Sequence, residues 1–201
     1  VVGAEPGTIS LHSCISSVLS VVAESLDYST RRRVVTTSLD FPTVAYQWLA
    51  KVDRGVDVVV VESPDGIHVP LERLAAAIDD RTALVATSHV FFTSGAIQHV
   101  RAVADLAHRQ GALLLVDGYQ AAGQLPVDVA SLDVDFYCSG GLKWLLGGSG
   151  VAFLYVRPSL IGRLTPGIAG WFGHATPFRF DPRQLERAAD AHRFDLGTPS
   201  V

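Results

Sequence analysis

Two lysines and fourteen arginines supply the positive charge of this chain, and one lysine sits in an apolar, glycine-bracketed segment, Ser139-Gly140-Gly141-Leu142-Lys143-Trp144-Leu145-Leu146-Gly147-Gly148. Solubility does not require that placement, but chemistry can use it. A primary amine can lose its proton in a dry pocket and attack a carbonyl, whereas a guanidinium stays charged. The plain alternative is a lysine reaching from a loop to solvent. The flanking glycines and a carboxylate upstream weigh against it.

That carboxylate is Asp117, which ends the run Leu113-Leu114-Leu115-Val116-Asp117. At the carboxyl end of a buried strand it would be partly desolvated and in need of a positive partner. A protonated pyridine nitrogen would meet that need and make the ring an electron sink. Gly118 follows, so a helix N-cap or turn role competes with this reading. Gln120 suits either a hydrogen bond to a ring oxygen or the capping of the next turn. Upstream, Leu11-His12-Ser13-Cys14-Ile15-Ser16-Ser17 opens an apolar helix. Free backbone N–H groups and short hydroxyls at a helix start suit a phosphate, although serines there also serve as plain caps. Phe41, in the pair Phe41-Pro42, would stand at the same edge, either stacking on a planar cofactor or packing into the core.

The elements that must position these groups follow from periodicity. Apolar, β-branched runs at 34–37, 58–61, 83–86, 113–116 and 153–156 read as strands buried on both faces. Helices are expected over about 14–27, 43–53, 70–79 and 98–110, with a further short one near 182–190. The 98–110 segment places Val100, Val103, Ala104 and Ala107 at helical spacing, and Gly111 ends it. Such alternation predicts an α/β fold: three layers, α/β/α, with a mainly parallel central sheet. Sheets of this kind bind ligands beyond the carboxyl ends of their strands.

Composition narrows the function classes. The 201 residues are 48% hydrophobic and 18% charged with a formal net charge of −4, which excludes a disordered tail and a basic nucleic-acid binder. Arg31-Arg32-Arg33 reads as a solvated strand start. Cys14 and Cys138 are spaced neither as a metal knuckle nor as a disulfide framework, which makes a reducing compartment, the cytoplasm, the expectation. The seven histidines show no metal spacing, no apolar run reaches the roughly 18 residues of a membrane span, and no G-x-S-x-G elbow marks a Ser-His-Asp hydrolase. The chain starts on Val1 and stops on Gly197-Thr198-Pro199-Ser200-Val201, so a fragment of a longer protein is expected.

Together, Val116-Asp117-x-x-Gln120, Lys143 coming 23 residues after Gln120, and the run Lys143-Trp144-Leu145-Leu146-Gly147-Gly148-Ser149-Gly150-Val151 resemble the class V aminotransferases. These are pyridoxal-phosphate enzymes of fold type I. The resemblance covers nearly the whole chain and implies a single large cofactor-binding domain over 1–201, without the preceding segment and the small C-terminal domain. It implies that Lys143 forms the internal aldimine with pyridoxal 5′-phosphate and moves the substrate's alpha proton. It likewise implies that Asp117 pairs with the ring nitrogen, Gln120 lies near the phenolic oxygen, and Phe41 stacks on the ring. Ile15 and Ser16 fall at the phosphate. Homodimers with active sites at the subunit interface are implied, as is a small-molecule amino-acid substrate.

Within the family, Gly170-Trp171-Phe172-Gly173-His174 is similar to kynureninase, whose equivalent Trp reaches the neighbouring subunit's site, and Phe41-Pro42 fits the same branch. Gln120 and Leu142 depart from it, since kynureninases usually have His and an aromatic there. Gln120 and the ending Phe194-Asp195-Leu196-Gly197-Thr198-Pro199 resemble cysteine desulfurases and isopenicillin-N-epimerase-like members, which puts Thr198 among the cofactor-binding positions. The phosphate-contacting Ser of many relatives has become Gly140 or Gly141. A kynureninase-like hydrolase or a transaminase is therefore the first expectation, and a cysteine desulfurase or other carbon–sulfur lyase the second. A non-catalytic binding module that kept the fold is the reading from another class.

Overall fold

The computed structural model describes residues 1–198, so the motif ending at Pro199 runs just past the described part. In chain order the elements are β1 (Ile9–His12), α1 (Ile15–Ser25), β2 (Arg33–Thr37), α2 (Pro42–Leu49), β3 (Asp57–Val61) and α3 (Leu71–Ala77). There follow β4 (Thr82–Ser88), α4 (Val100–Arg109), β5 (Leu113–Asp117), α5 (Val129–Leu132), β6 (Phe136–Gly140), β7 (Ala152–Val156) and α6 (Pro158–Ile161). The strands form one sheet in the order β1-β7-β6-β5-β4-β2-β3. From β2 to β6 all pairings are parallel, while β7 runs antiparallel to both β6 and β1.

Side-chain alternation sends each central strand into two cores. Val35, Val85, Leu114, Val116 and Tyr137 pack on one face with α3 and α4. Val34, Leu84, Leu115, Phe136 and Leu154 pack on the other with α1 and α2. This is the three-layer α/β/α architecture with a mainly parallel sheet that the sequence predicts. In α4, Val100, Val103, Ala104 and Ala107 are the buried stripe, and each buried valine contributes about 1.5–3 kcal/mol against the exposed state. Trp48 of α2 is wholly buried, and its indole N–H donates to the Tyr28 hydroxyl at 2.8 Å, so no polar atom of the ring is stranded.

Three expectations are corrected. The 58–61 run forms β3 but is not buried on both faces: it is the outermost strand, and Val60 is 40% exposed. The 43–53 helix ends at Leu49, and a separate 3-10 turn covers Val52–Arg54. No helix forms over 182–190, where the chain makes an isolated bridge between His174 and Arg187. Apart from Pro182, that stretch offers Leu185, which is exposed, and the two small residues Ala188 and Ala189 as its apolar residues. It has too little apolar face to stabilise a short helix.

Register sets the site. Ser88 pairs with Asp117, and Asp117 with Cys138, so the carboxyl ends of β4 and β5 are level and β6 continues past them to Gly140. The loops after these ends, with the starts of α1 and α2, enclose the cavity described below. Among the described residues no helix is long and apolar enough to cross a membrane, and no group of His, Cys, Asp and Glu is arranged to hold a metal ion.

Candidate active site

A cavity of about 350 Å³ opens at this edge, and its wall includes Lys143, Asp117, Gln120, Phe41, Ile15 and Ser16. Six positions that are scattered through the sequence therefore meet in one place.

Asp117 ends β5 and is 6% exposed. The Tyr119 amide donates to its Oδ1 at 2.8 Å, so one oxygen does serve the turn. Oδ2 has no hydrogen-bond partner and the carboxylate no ion pair among the described residues. Burial pushes the carboxyl up to about 6, and the charge of Asp40 pushes the same way, while the Tyr119 N–H and the Lys143 charge pull it back. A buried carboxylate without a cation is a group that gains from an N–H⁺ guest.

Asp40 went unremarked in the sequence and is the anchor of this edge. Its Oδ2 accepts from the Thr36 hydroxyl at 3.1 Å and from the Thr37 amide and hydroxyl at 2.9 and 2.8 Å. Its Oδ1 accepts from the Thr87 hydroxyl at 3.2 Å and the Ser88 amide at 2.6 Å. The ends of β2 and β4 are thereby joined. Burial nevertheless raises its carboxyl above the usual range against those bonds. Phe41 follows as N-cap of α2 with Pro42 in the first turn. Its ring, 47% exposed, stands edge-on to Phe92 at 5.3 Å, which leaves a face open to a planar guest.

The start of α1 supplies the anion end. Ile15 and Ser16 occupy its first turn, where backbone N–H groups lack helical partners. The Ser16 and Thr43 hydroxyls lie 2.9 Å apart and tie α1 to α2. Cys14 is the N-cap and also lines the cavity. Burial pushes this thiol up, but hydrogen bonds involving Ser17, Ser13 and Ser16 outweigh that and hold it below its ordinary value. Cys138, fully buried on β6, is pushed well above it by burial.

Lys143 lies in the loop between β6 and β7. Its carbonyl accepts from the Leu146 amide at 3.0 Å, and the loop is closed by Gly147 N–H to Gly141 O at 2.8 Å and Gly141 N–H to Val151 O at 2.9 Å. The ammonium sits 4.7 Å above the centroid of the Tyr119 ring. Tyr119 is the second residue that sequence reasoning missed. A Cβ at Gly140 would come within 2.5 Å of its ring carbon, so the ring takes the space beside Gly140.

Two sequence-derived positions lie elsewhere. Trp171 does not line this cavity; it packs against Phe178 at 5.6 Å and Phe180 at 5.8 Å in a separate aromatic cluster, with both phenylalanines about 70% exposed. Thr198 is exposed and also lies outside the lining.

An amine, a carboxylate short of a cation, an open aromatic face and a helix start with free N–H groups, all on one cavity, fit a flat, phosphorylated pyridine aldehyde. The sequence profile described as "Aminotransferase class-V" matches residues 1–201. Along 99% of its length the chain is 40% identical to the uncharacterized aminotransferase YcbU of Bacillus subtilis (strain 168), covering 52% of that protein. It is 34% identical to the kynureninase of Pseudomonas fluorescens over 100% of the chain and 47% of that enzyme. An apo cysteine desulfurase structure from Thermococcus onnurineus NA1 superposes with a TM-score of 0.88 at 26% identity, over 99% of this chain and 50% of that one. The chain thus spans about half the length of these relatives.

Proposed function

Because the chain belongs to the class V aminotransferase family, whose cofactor is pyridoxal 5′-phosphate, we propose that it is the cofactor-binding part of an enzyme acting on an amino acid, with kynureninase-type hydrolysis or transamination as the outcome. The observation that carries this reading is the meeting of Lys143 and the buried, cation-seeking Asp117 on one cavity. The cofactor, when bound, supplies an electron sink for bonds broken at the substrate's alpha carbon. The chain supplies the rest. Lys143 would hold the cofactor through its amine and would take and return the substrate's alpha proton. Asp117 would keep a proton on the ring nitrogen. Gln120 would donate to the phenolic oxygen, Phe41 would cover one ring face, and the Ile15 and Ser16 end of α1 would take the phosphate.

A homodimer fits this reading. Trp171, with the exposed Phe178 and Phe180, lies apart from its own chain's cavity and is available to a partner's, and Thr198 belongs to the same completed site. The Trp171 segment and the likeness to the Pseudomonas kynureninase along the whole chain support hydrolytic cleavage first. Likeness to the Thermococcus desulfurase supports carbon–sulfur cleavage as the second reading. The deciding experiment uses the full-length protein loaded with pyridoxal 5′-phosphate, given kynurenine and followed by anthranilate fluorescence. Release that disappears in Lys143→Ala is the expected result. A loaded protein that releases none moves the reading to transamination or carbon–sulfur cleavage.

A further inference from the structure

Trp144, the residue after Lys143, donates its indole N–H to the side-chain oxygen of Gln120 at 3.0 Å. An indole nitrogen only donates. The amide atom it meets must therefore be the oxygen, since the flipped amide would set two donors against each other. This settles an orientation that the Gln120 side chain alone leaves free. Gln120 lines the Lys143 cavity, and among the described residues its NH₂ group has no hydrogen-bond partner. The end left for a guest is the donor end.

One further contact joins the two segments, and a second braces the glutamine's own turn. Gly123 has φ +98°, and a Cβ there would lie 2.5 Å from the Trp144 carbonyl oxygen, so the turn after Gln120 and the chain after Lys143 touch backbone to backbone. The Gln124 side-chain amide donates to the Gln120 carbonyl. The segment that carries the lysine and the segment that carries the glutamine are thereby one unit.

Resting on the function proposed above, we propose that Trp144 is a positioning residue, which locks the Gln120 amide so that its NH₂ faces the phenolic oxygen of the cofactor. Without the indole N–H the amide can reverse, and its carbonyl oxygen then opposes the ring oxygen. Trp144 is not among the residues that line the cavity and acts only through Gln120.

The test compares the full-length wild type with Trp144→Phe, Gln120→Leu and the double variant, with pyridoxal 5′-phosphate as probe. The readouts are the cofactor dissociation constant, the visible absorption maximum of the loaded protein, and the Trp144 indole N–H resonance of the cofactor-free protein. Trp144→Phe is expected to weaken binding about fivefold, the loss of one net hydrogen bond, and to shift the absorption maximum. In the Gln120→Leu background it should add nothing, because both act through one bond. Gln120→Leu should also move the indole resonance before any cofactor is added. A Trp144→Phe loss that is equal with and without Gln120 would overturn the proposal by making the indole a packing group. So would cofactor binding that ignores Trp144→Phe while responding to Gln120→Leu. If Gln120→Leu moves the indole resonance yet binds cofactor as the wild type does, the bond stands, the assignment of Gln120 to the ring oxygen falls, and the proposal falls with it.

Discussion

The Lys143 ammonium rests 4.7 Å above the centre of the Tyr119 ring, and that ring occupies the space a side chain at 140 would need. The amine is thus held over an aromatic face inside the cavity. Such contacts are worth about 0.5–1 kcal/mol where solvent reaches them, so Tyr119→Leu should weaken cofactor loading by about two- to fivefold. Tyr119→Phe keeps the ring and should load like the wild type. Cofactor titration of both variants checks this, and a phenylalanine variant as weak as the leucine one would assign the effect to the hydroxyl instead.

Asp117 makes the cofactor-free protein less stable as pH rises. Its carboxyl titrates near 6 in the folded chain, raised by burial from 3.8, so folding takes up a proton between these values. The stabilising share is full below about pH 4 and lost as pH climbs through 6, a difference of about 3 kcal/mol. Asp117→Asn should therefore stabilise the cofactor-free protein by up to about 3 kcal/mol at pH 8, with the gain fading toward pH 4. Urea unfolding at three pH values measures it; a gain independent of pH would sink the explanation. The same variant should lose tight cofactor binding, the exchange of stability for function expected at a working site.

His12 acts in the opposite sense. It is buried, its Nε2 lies 2.9 Å from the Ser10 hydroxyl, and burial lowers its pKa from 6.5 to about 4. The unfolded chain takes a proton there that the folded one refuses. Stability present above pH 6.5 is therefore lost as pH falls toward 4, by up to about 3 kcal/mol. His12→Gln should flatten that acid limb relative to the wild type in paired melting curves at pH 7 and 4.5. Parallel decline of the two proteins would acquit His12.

Much of the site is legible in the sequence because its chemistry is written locally: Asp117 at a strand end, Lys143 among glycines, serines at a helix start. Tyr119 escaped notice because its partner lies in another loop and it occupies an unspecified place in the Asp-x-x-Gln pattern. Asp40 escaped because its donors come from the ends of two strands that are distant in sequence. The run of valines in β3 announces a strand but not how many neighbours it has, which is why its exposed edge was misread. β1, only four residues long and abutting α1, is too short for a periodicity of its own and depends on its pairing with β7. The orientation of Gln120 lies beyond any sequence pattern, since only the Trp144 contact decides it.

The antiparallel return from β6 to β7 gives Lys143 and Asp117 different folding histories. The Lys143 loop is flanked by paired Gly140 and Ala152, so its ends meet through contacts close in sequence, and hairpins of this kind form within microseconds. Asp117 is positioned only when β4, β5 and β6 align in parallel, which requires closure across longer connections and is intrinsically slower. In a nascent chain the lysine's loop can therefore be shaped before the carboxylate has its place. The competence to bind cofactor should arrive with the parallel centre of the sheet, as one of the later events of folding.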